Sequence, residues 1–388
     1  MEASRASLRI GERSAPETDA SHDQKTTDIL DACKWKDIAR LKGLAASRGG
    51  FLTDSLRRSA WPILLGVSSA LPHHDSGEWK QLDRHRDEDQ VQLDVNRAFI
   101  YYPNDQSNAE IDQRKSELSD LIVQVLRRYP YLCYFQGYHD ICQVFLLALG
   151  PDLSPPVVAR LSILRIRDFM LPSLAPTTAQ LRLLPDLLAK ADPELRRHVA
   201  GVEPFYALAG TLTMYAHNIE GYRDISRMFD VFLAREPVFS IYVFAQIVLN
   251  RRDEILEVDD LDILHVILSK VPSNLDLDAL VASAAALFDR FPPETLWSWR
   301  LISSSSALKT ARDVEVSAKQ TEEQGHEFFL QQVKDIQWAE TQDRIRKTVW
   351  MYRRPAQAVG MAVAVGLLGL YLRRNPAAVN SFLNAFIR

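Results

Sequence analysis

From Ile29 to Phe291, apolar residues recur at spacings of three and four in one segment after another, almost without the alternation that a strand needs. A 3.6-residue period gathers such positions into one stripe along a helix and scatters them over both faces of a strand, so the chain must pack helix on helix. The runs are Ile29 to Leu44, Ile111 to Tyr129, Cys142 to Leu149, Val157 to Leu171, Thr178 to Ala191, Pro204 to Tyr215, Asp224 to Leu233, Ser240 to Leu249, Asp260 to Leu268 and Leu277 to Phe291. Most end at helix breakers: Gly49-Gly50, Gly150-Pro151, Pro172, Pro193, Pro237, Pro272 and Pro292-Pro293. No fixed repeat length runs through them, which favours one irregular all-α domain over residues 28–302 rather than a regular solenoid.

The flanks read differently. Residues 1–27 are polar and lack the apolar mass to offset ordering, so they are expected to be disordered. They also contain no apolar stretch of the kind a secretory signal needs. Residues 303–352 open on the Ser303 to Ser306 run and continue densely charged, with a sparse stripe of Phe328, Phe329, Val333, Ile336 and Ile345, the pattern of a solvated helical linker. Residues 353–388 are expected to be a membrane anchor and short tail. Pro355 to Leu372 holds no charge over 18 residues, is bracketed by Arg353-Arg354 and Arg373-Arg374, and carries Tyr352 and Tyr371 at its ends. At about 1.5 Å per residue it spans about 27 Å, close to the thinnest bilayers. Basic pairs at both ends leave orientation open; the cytosol is expected for the main domain because a signal peptide and a disulfide pattern are both missing. Three cysteines, Cys33, Cys133 and Cys142, suit neither a disulfide framework nor a zinc site. A net charge of −4 gives no reason to expect nucleic acid.

Two stretches place polar groups where packing does not ask for them. In Val91-Gln92-Leu93-Asp94-Val95-Asn96-Arg97, Asp94 and Arg97 are three apart and share a helical face, so the carboxylate can hold the guanidinium in one direction. In Tyr134-Phe135-Gln136-Gly137-Tyr138-His139-Asp140, Gly137 permits a tight turn, Asp140 is a candidate N-cap, and Gln136 would project from the loop with an amide able to orient a water molecule. On spacing alone the first is more often a surface ion pair and the second a turn. Together they could serve phosphoryl transfer, where an arginine supplied in trans is worth about 10³ to 10⁵ in rate. His139 and His217 read as caps or hydrogen-bonded structural residues, and His73-His74-Asp75 as a solvated loop. The phosphate-cradling Gly-x-x-x-x-Gly-Lys-Ser/Thr pattern does not occur, so the chain is not expected to bind nucleotide by itself.

Taken in order, Arg57-x-x-x-Trp61-Pro62 with Leu65-Gly66, Val91-x-x-Asp94-x-x-Arg97 and Tyr134-x-Gln136-Gly137 resemble the three signatures of the TBC domain family of Rab GTPase-activating proteins, over about Leu56 to Phe291. The resemblance implies a TBC-type helical domain in which Arg97 is an arginine finger and Gln136 orients the attacking water. It also implies that Asp94 orients Arg97, that Tyr134 and Gly137 shape the glutamine loop, and that Arg57 and Trp61 support the finger-bearing region. The partner would be a GTP-bound Rab, and Mg²⁺ and GTP would belong to that Rab, with no cofactor or metal on this chain. Tyr138-His139-Asp140-Ile141, Arg223 to Asp230 and Pro292-Pro293 are most similar to the branch anchored in the endoplasmic reticulum by a C-terminal transmembrane helix, which acts on Rabs of the early secretory pathway. Met214-Tyr215-Ala216-His217 departs from an aromatic pair common in the family and bears on packing. The competing readings are a catalytically silent Rab-binding adaptor, disfavoured by the presence of both Arg97 and Gln136, and a helical-repeat tether, disfavoured by the lack of repeats.

Overall fold

The computed structural model describes residues 15–67, 77–103 and 106–374, and among them there are helices, 3₁₀ turns and loops but no β-strand. The all-α reading holds, and most of the periodic runs become helices within a few residues of their expected ends. Asn108–Arg128 starts from a capping box in which the Ser107 hydroxyl and the Glu110 side chain serve each other's backbone N–H groups. Leu277–Arg290 turns an apolar stripe of Leu280, Val281, Ala284 and Leu287 inward, whereas Tyr222–Ala234 and Phe239–Asn250 are buried on nearly all sides as central helices. Tyr242 and Phe239 of one helix meet Phe288 of another at ring separations of 4.8 and 6.2 Å. The Tyr242 hydroxyl donates to the Phe291 carbonyl at 2.6 Å, closing the end of that second helix.

Where a run was expected to continue and does not, a local conflict explains it. Ile29 to Leu44 breaks at Lys36, whose φ is +52°, and Asp37 then caps a new helix, Ile38–Ala46, by accepting from the Arg40 N–H at 2.9 Å. The first helix, Ala15–Trp35, begins inside the stretch expected to be disordered; residues 1–14 of that stretch lie outside the described residues. Val157 to Leu171 stops as a helix at Leu164, because Arg167 turns inward to cap the Leu164 carbonyl at 3.0 Å. Thr178 to Ala191 divides into Ala175–Leu181 and Leu183–Ala191, and Pro204 to Tyr215 keeps only the short helix Leu208–Leu212.

The compact unit does not end at 302. It runs to Val333, with a second unit from Lys334. Ser306, Ala307, Ala311 and Val314 are buried, and so are Phe329 and Gln332 from the first turns of the helix Glu322–Arg374. Asp168, buried, accepts from the Ala307 N–H at 2.9 Å, the Gln332 amide at 2.8 Å and the Ser306 hydroxyl, while Arg167 donates to the Gln332 side-chain oxygen at 3.0 Å. The close approach explains two glycines: a Cβ on Gly66 would lie 1.8 Å from the Ala318 carbonyl oxygen, and one on Gly325 2.2 Å from Ile163 Cγ2. The linker expectation therefore fails for its first thirty or so residues, which are part of the domain. From Lys334 to about Arg354 the helix is charged and mostly exposed.

Among the described residues no helix is long and apolar enough to cross a membrane, which corrects the expected C-terminal transmembrane helix. Pro355 to Leu372 is uncharged but not uniformly apolar: Pro355 and Gln357 dilute one end, and Gly360, Gly366 and Gly369 contribute little surface. The strongly apolar part, Val359 to Leu370, spans about 18 Å at about 1.5 Å per residue, against about 30 Å of hydrocarbon. Residues 375–388, the expected tail, and His73-His74-Asp75 lie outside the described residues.

Candidate functional site

The helix Glu88–Val95 is short, with Glu88 and Asp89 in its first turn where the helix dipole favours acids. It ends before Arg97, yet the Arg97 N–H donates to the Asp94 carbonyl at 3.0 Å, a tight last turn that keeps Arg97 on the face of Asp94. Arg97 Nη2 donates to Asp94 Oδ1 at 2.6 Å. The Asp94 side chain is fully buried and that of Arg97 is 63% exposed, so a fixed anchor holds an exposed guanidinium. This is more than a surface ion pair: the same carboxylate accepts from Gln90 Nε2 at 3.2 Å and from the Tyr134 hydroxyl at 2.9 Å.

The glutamine loop is tied to this helix at both ends. At its start, Asp87 Oδ2 accepts from the Tyr134 backbone N–H at 2.9 Å; at its end, Asp94 takes the Tyr134 hydroxyl. His85 and Arg86 add bonds to the Leu132 carbonyl, both at 3.1 Å, and Glu88 holds Arg127 in a bidentate pair at 2.7 and 2.9 Å. Gly137, not Asp140, occupies the N-cap of Tyr138–Leu149. Its φ of +102° is open only to glycine, and a Cβ there would lie 2.6 Å from Thr213 Cγ2. Asp140 falls in the first turn, where its two oxygens meet His139 Nε2 and His217 Nδ1, each at 3.2 Å.

These elements bring Arg97 and Gln136 to the rim of one open cleft of about 190 Å³, lined also by Asp94, His139, Asp140 and His217. Gln136 is exposed and makes no side-chain hydrogen bond to another described residue. Apolar Leu93, Ile100 and Tyr101 stand exposed beside Arg97, at 59%, 71% and 43%. An exposed guanidinium and an exposed amide facing one space can together neutralise charge and orient a water on whatever docks there. Among the described residues no group of three or more His, Cys, Asp or Glu is arranged to hold a metal ion.

Arg57 and Trp61 sit apart from this rim. Both are buried and meet on Asp230: Arg57 Nε and Nη2 donate to it at 3.0 and 3.1 Å and Trp61 Nε1 at 2.8 Å, with the Phe51 N–H at 2.9 Å as a fourth donor. Burial opposes charge on Arg57, but Asp230 and Asp54 reverse this and hold its pKa above the ordinary value. The knot reaches the cleft by two routes. Trp61 packs edge-on against Phe145 of the Tyr138–Leu149 helix at 5.3 Å, and Asp54 accepts from Tyr222, whose ring lies 5.7 Å from cleft-lining Tyr102. Gly50 passes so close that a Cβ would come within 2.4 Å of Asp230. Asp87, Asp230 and His217 are the residues that sequence reasoning did not place in these roles. Asp230 had a signal as the last residue of the Arg223 to Asp230 run, and His217 as a hydrogen-bonded histidine, though nothing in the sequence placed it on the cleft; Asp87 had none.

Tyr215 explains the departure at Met214 to His217. Its ring is fully buried and stacks on Phe232 at 5.5 Å, its hydroxyl donates to the Ser240 carbonyl at 2.8 Å, and both Met214 and Tyr215 take positive φ. That turn delivers Ala216 and His217 to the cleft.

Fold and cleft define a class: an all-helical domain in which an arginine and a glutamine from adjoining elements line one open cleft. The Rab-GTPase-TBC domain family matches residues 54–256, and the chain belongs to that family. It is 36% identical over 311 residues to TBC1 domain family member 20 of Bos taurus, covering 78% of this chain and 76% of that protein. It is 32% identical over 297 residues to the GTPase-activating protein gyp10 of Schizosaccharomyces pombe, covering 75% and 79%. The fold is similar to the Chlamydomonas flagellar RabGAP TBC domain, with a TM-score of 0.53 at 16% identity over 70% of this chain and 96% of that one.

Proposed function

We propose that this chain accelerates GTP hydrolysis by Rab GTPases of the early secretory pathway by lending them two side chains, Arg97 as an arginine finger and Gln136 as the residue that orients the attacking water. Rab GTPase-activating function is that of its family and relatives. The observation that carries the assignment of residues is that Arg97 and Gln136 face the same open cleft, the first on a buried anchor and the second exposed, with no side-chain hydrogen bond to another described residue. Loose phosphoryl-transfer transition states leave a protein little to do beyond positioning and charge stabilisation, which these two groups supply. GTP and Mg²⁺ enter with the Rab. Exposed Leu93, Ile100 and Tyr101 give the Rab an apolar surface beside the finger.

Arg97→Ala should lower single-turnover GTP hydrolysis by about 10³- to 10⁵-fold in a variant that still unfolds in one cooperative transition. Equal stimulation by wild type and variant, across a panel of Rabs, rejects the assignment. The silent-adaptor alternative is tested by the same assay.

The reading includes a place of work, the cytosolic face of the endoplasmic reticulum. Val359 to Leu370, exposed and flanked by Arg353-Arg354 and Arg373-Arg374, has the length of an interfacial segment. Val363→Asp with Leu367→Asp should release the chain from vesicles in a flotation assay, and retention of the double variant would reject this tether.

A further inference from the structure

The two histidines of the cleft are joined. Asp140 Oδ2 lies 3.2 Å from His217 Nδ1 and its Oδ1 lies 3.2 Å from His139 Nε2. The other ring nitrogen of His139 faces the anchor of the finger, 3.4 Å from the Tyr134 hydroxyl oxygen and 3.9 Å from Asp94 Oδ2. Asp94 Oδ1 in turn holds Arg97 at 2.6 Å. One polar path therefore runs from exposed His217 to the guanidinium, and His139 is its only member able to gain or lose a proton between Asp140 and Asp94.

We propose that His139 is a positioning residue for Arg97: neutral, with its Nε2–H given to Asp140, it leaves the Asp94 carboxylate to Arg97 and Tyr134; protonated, it presents a second N–H and a positive charge to that carboxylate and loosens the finger. The inference rests on Arg97 being the arginine lent to the Rab. The groups facing the imidazole are Asp140 on its own helix, Tyr134 from the loop before it, Asp94 and Arg97 from the finger element, and His217 from the turn after Tyr215. Burial weighs most against the proton on His139, Arg97 and His217 also oppose it, and Asp140 and Asp94 favour it, leaving its pKa below the ordinary imidazole value. His217, bonded to Asp140 at the surface, is shifted the other way. As pH falls, His217 takes a proton first; His139 follows in more acid solution, and only then does the Asp94 anchor meet a competing cation. Stimulation is full near neutrality and declines in mild acid.

The test uses full-length wild type, His139→Gln, Arg97→Ala and the double variant with a GTP-loaded Rab that wild type stimulates, each rate divided by that Rab's own hydrolysis at the same pH. Glutamine keeps a donor for Asp140 and does not titrate. Between about pH 7.5 and about pH 5 the wild-type ratio should fall at least twofold, with the decline lying below the ordinary imidazole value of about 6.5. For His139→Gln it should stay flat within about twofold across that range, with kcat and KM close to those of wild type near neutrality and kcat retained in acid where wild type loses it. The double variant should match Arg97→Ala. An acid decline that persists in His139→Gln while Arg97→Ala is inactive overturns the positioning role alone, as does a double variant weaker than Arg97→Ala. An Arg97→Ala that stimulates like wild type removes the finger and this inference with it. On the unaltered protein, the NMR titration midpoint of the His139 ring should coincide with that of the activity decline, and a separation beyond about one pH unit overturns the proposal.

Discussion

Tyr134→Phe deletes one oxygen bonded to the Asp94 anchor and leaves Arg97 and Gln136 untouched. That hydroxyl donates to Asp94 Oδ2 at 2.9 Å, and the carboxylate it serves is fully buried, with Arg97 and Gln90 on its other oxygen at 2.6 and 3.2 Å. The ring keeps its edge contact with Tyr138, whose centroid is 6.0 Å away, so no cavity opens. What is lost is a hydrogen bond to a charged acceptor that water cannot readily replace, worth about 1.5–3 kcal/mol. Chemical denaturation should show a loss of that size. The same free energy sets the ceiling on the kinetic effect: if all of it went into holding Arg97, kcat would fall by about 10- to 150-fold, since about 1.4 kcal/mol is a factor of ten. Because the Asp94–Arg97 bond survives, about tenfold is expected, well short of Arg97→Ala, with KM nearly unchanged because the docking surface is intact. Single-turnover hydrolysis at saturating activator reads this directly. A variant that loses the expected stability yet hydrolyses within about twofold of wild type would refute the claim that Asp94 and Tyr134 position the finger.

Gly137→Ala should cost about 2–4 kcal/mol, from strain at a φ of +102° plus crowding against Thr213, and lower stimulation as the Gln136 loop shifts; an unchanged melting temperature would show that the loop relaxes freely. Arg57→Ala strands Asp230 in the core and should destabilise by about 3–5 kcal/mol in urea denaturation, a loss under about 1 kcal/mol being incompatible with the buried pair. Gln332→Ala removes partners from both Arg167 and Asp168 and should lower stability by about 2–4 kcal/mol within a single cooperative transition; a surface-like effect would mean that residues 303–333 are a linker after all. Ile100→Ser should raise KM several-fold with kcat preserved, whereas a fall in kcat alone would remove Ile100 from the docking surface.

What the sequence disclosed and what it concealed divide along sequence separation and along the kind of group involved. Asp94 with Arg97, and Gln136 with Gly137, were legible because each pairing is local: a three-residue step keeps one face even though the helix stops at Val95, and a left-handed cap needs glycine wherever it falls. Arg57 and Asp230 lie 173 residues apart, and a pairing at that distance leaves no period to read. Ser303 to Ser306 misled for a different reason. Small hydroxyl residues serve solvated linkers and buried hydrogen-bond networks equally well, and only the position of Asp168 in space distinguishes the two. The C-terminal run shows the same limit from the apolar side. Absence of charge over Pro355 to Leu372 suggested a bilayer span, but a bilayer rewards apolar area rather than neutrality, and three glycines, a proline and a glutamine in those residues supply little of it. Neutrality over 18 residues is therefore necessary for a span but not sufficient; apolar area over about 30 Å decides it.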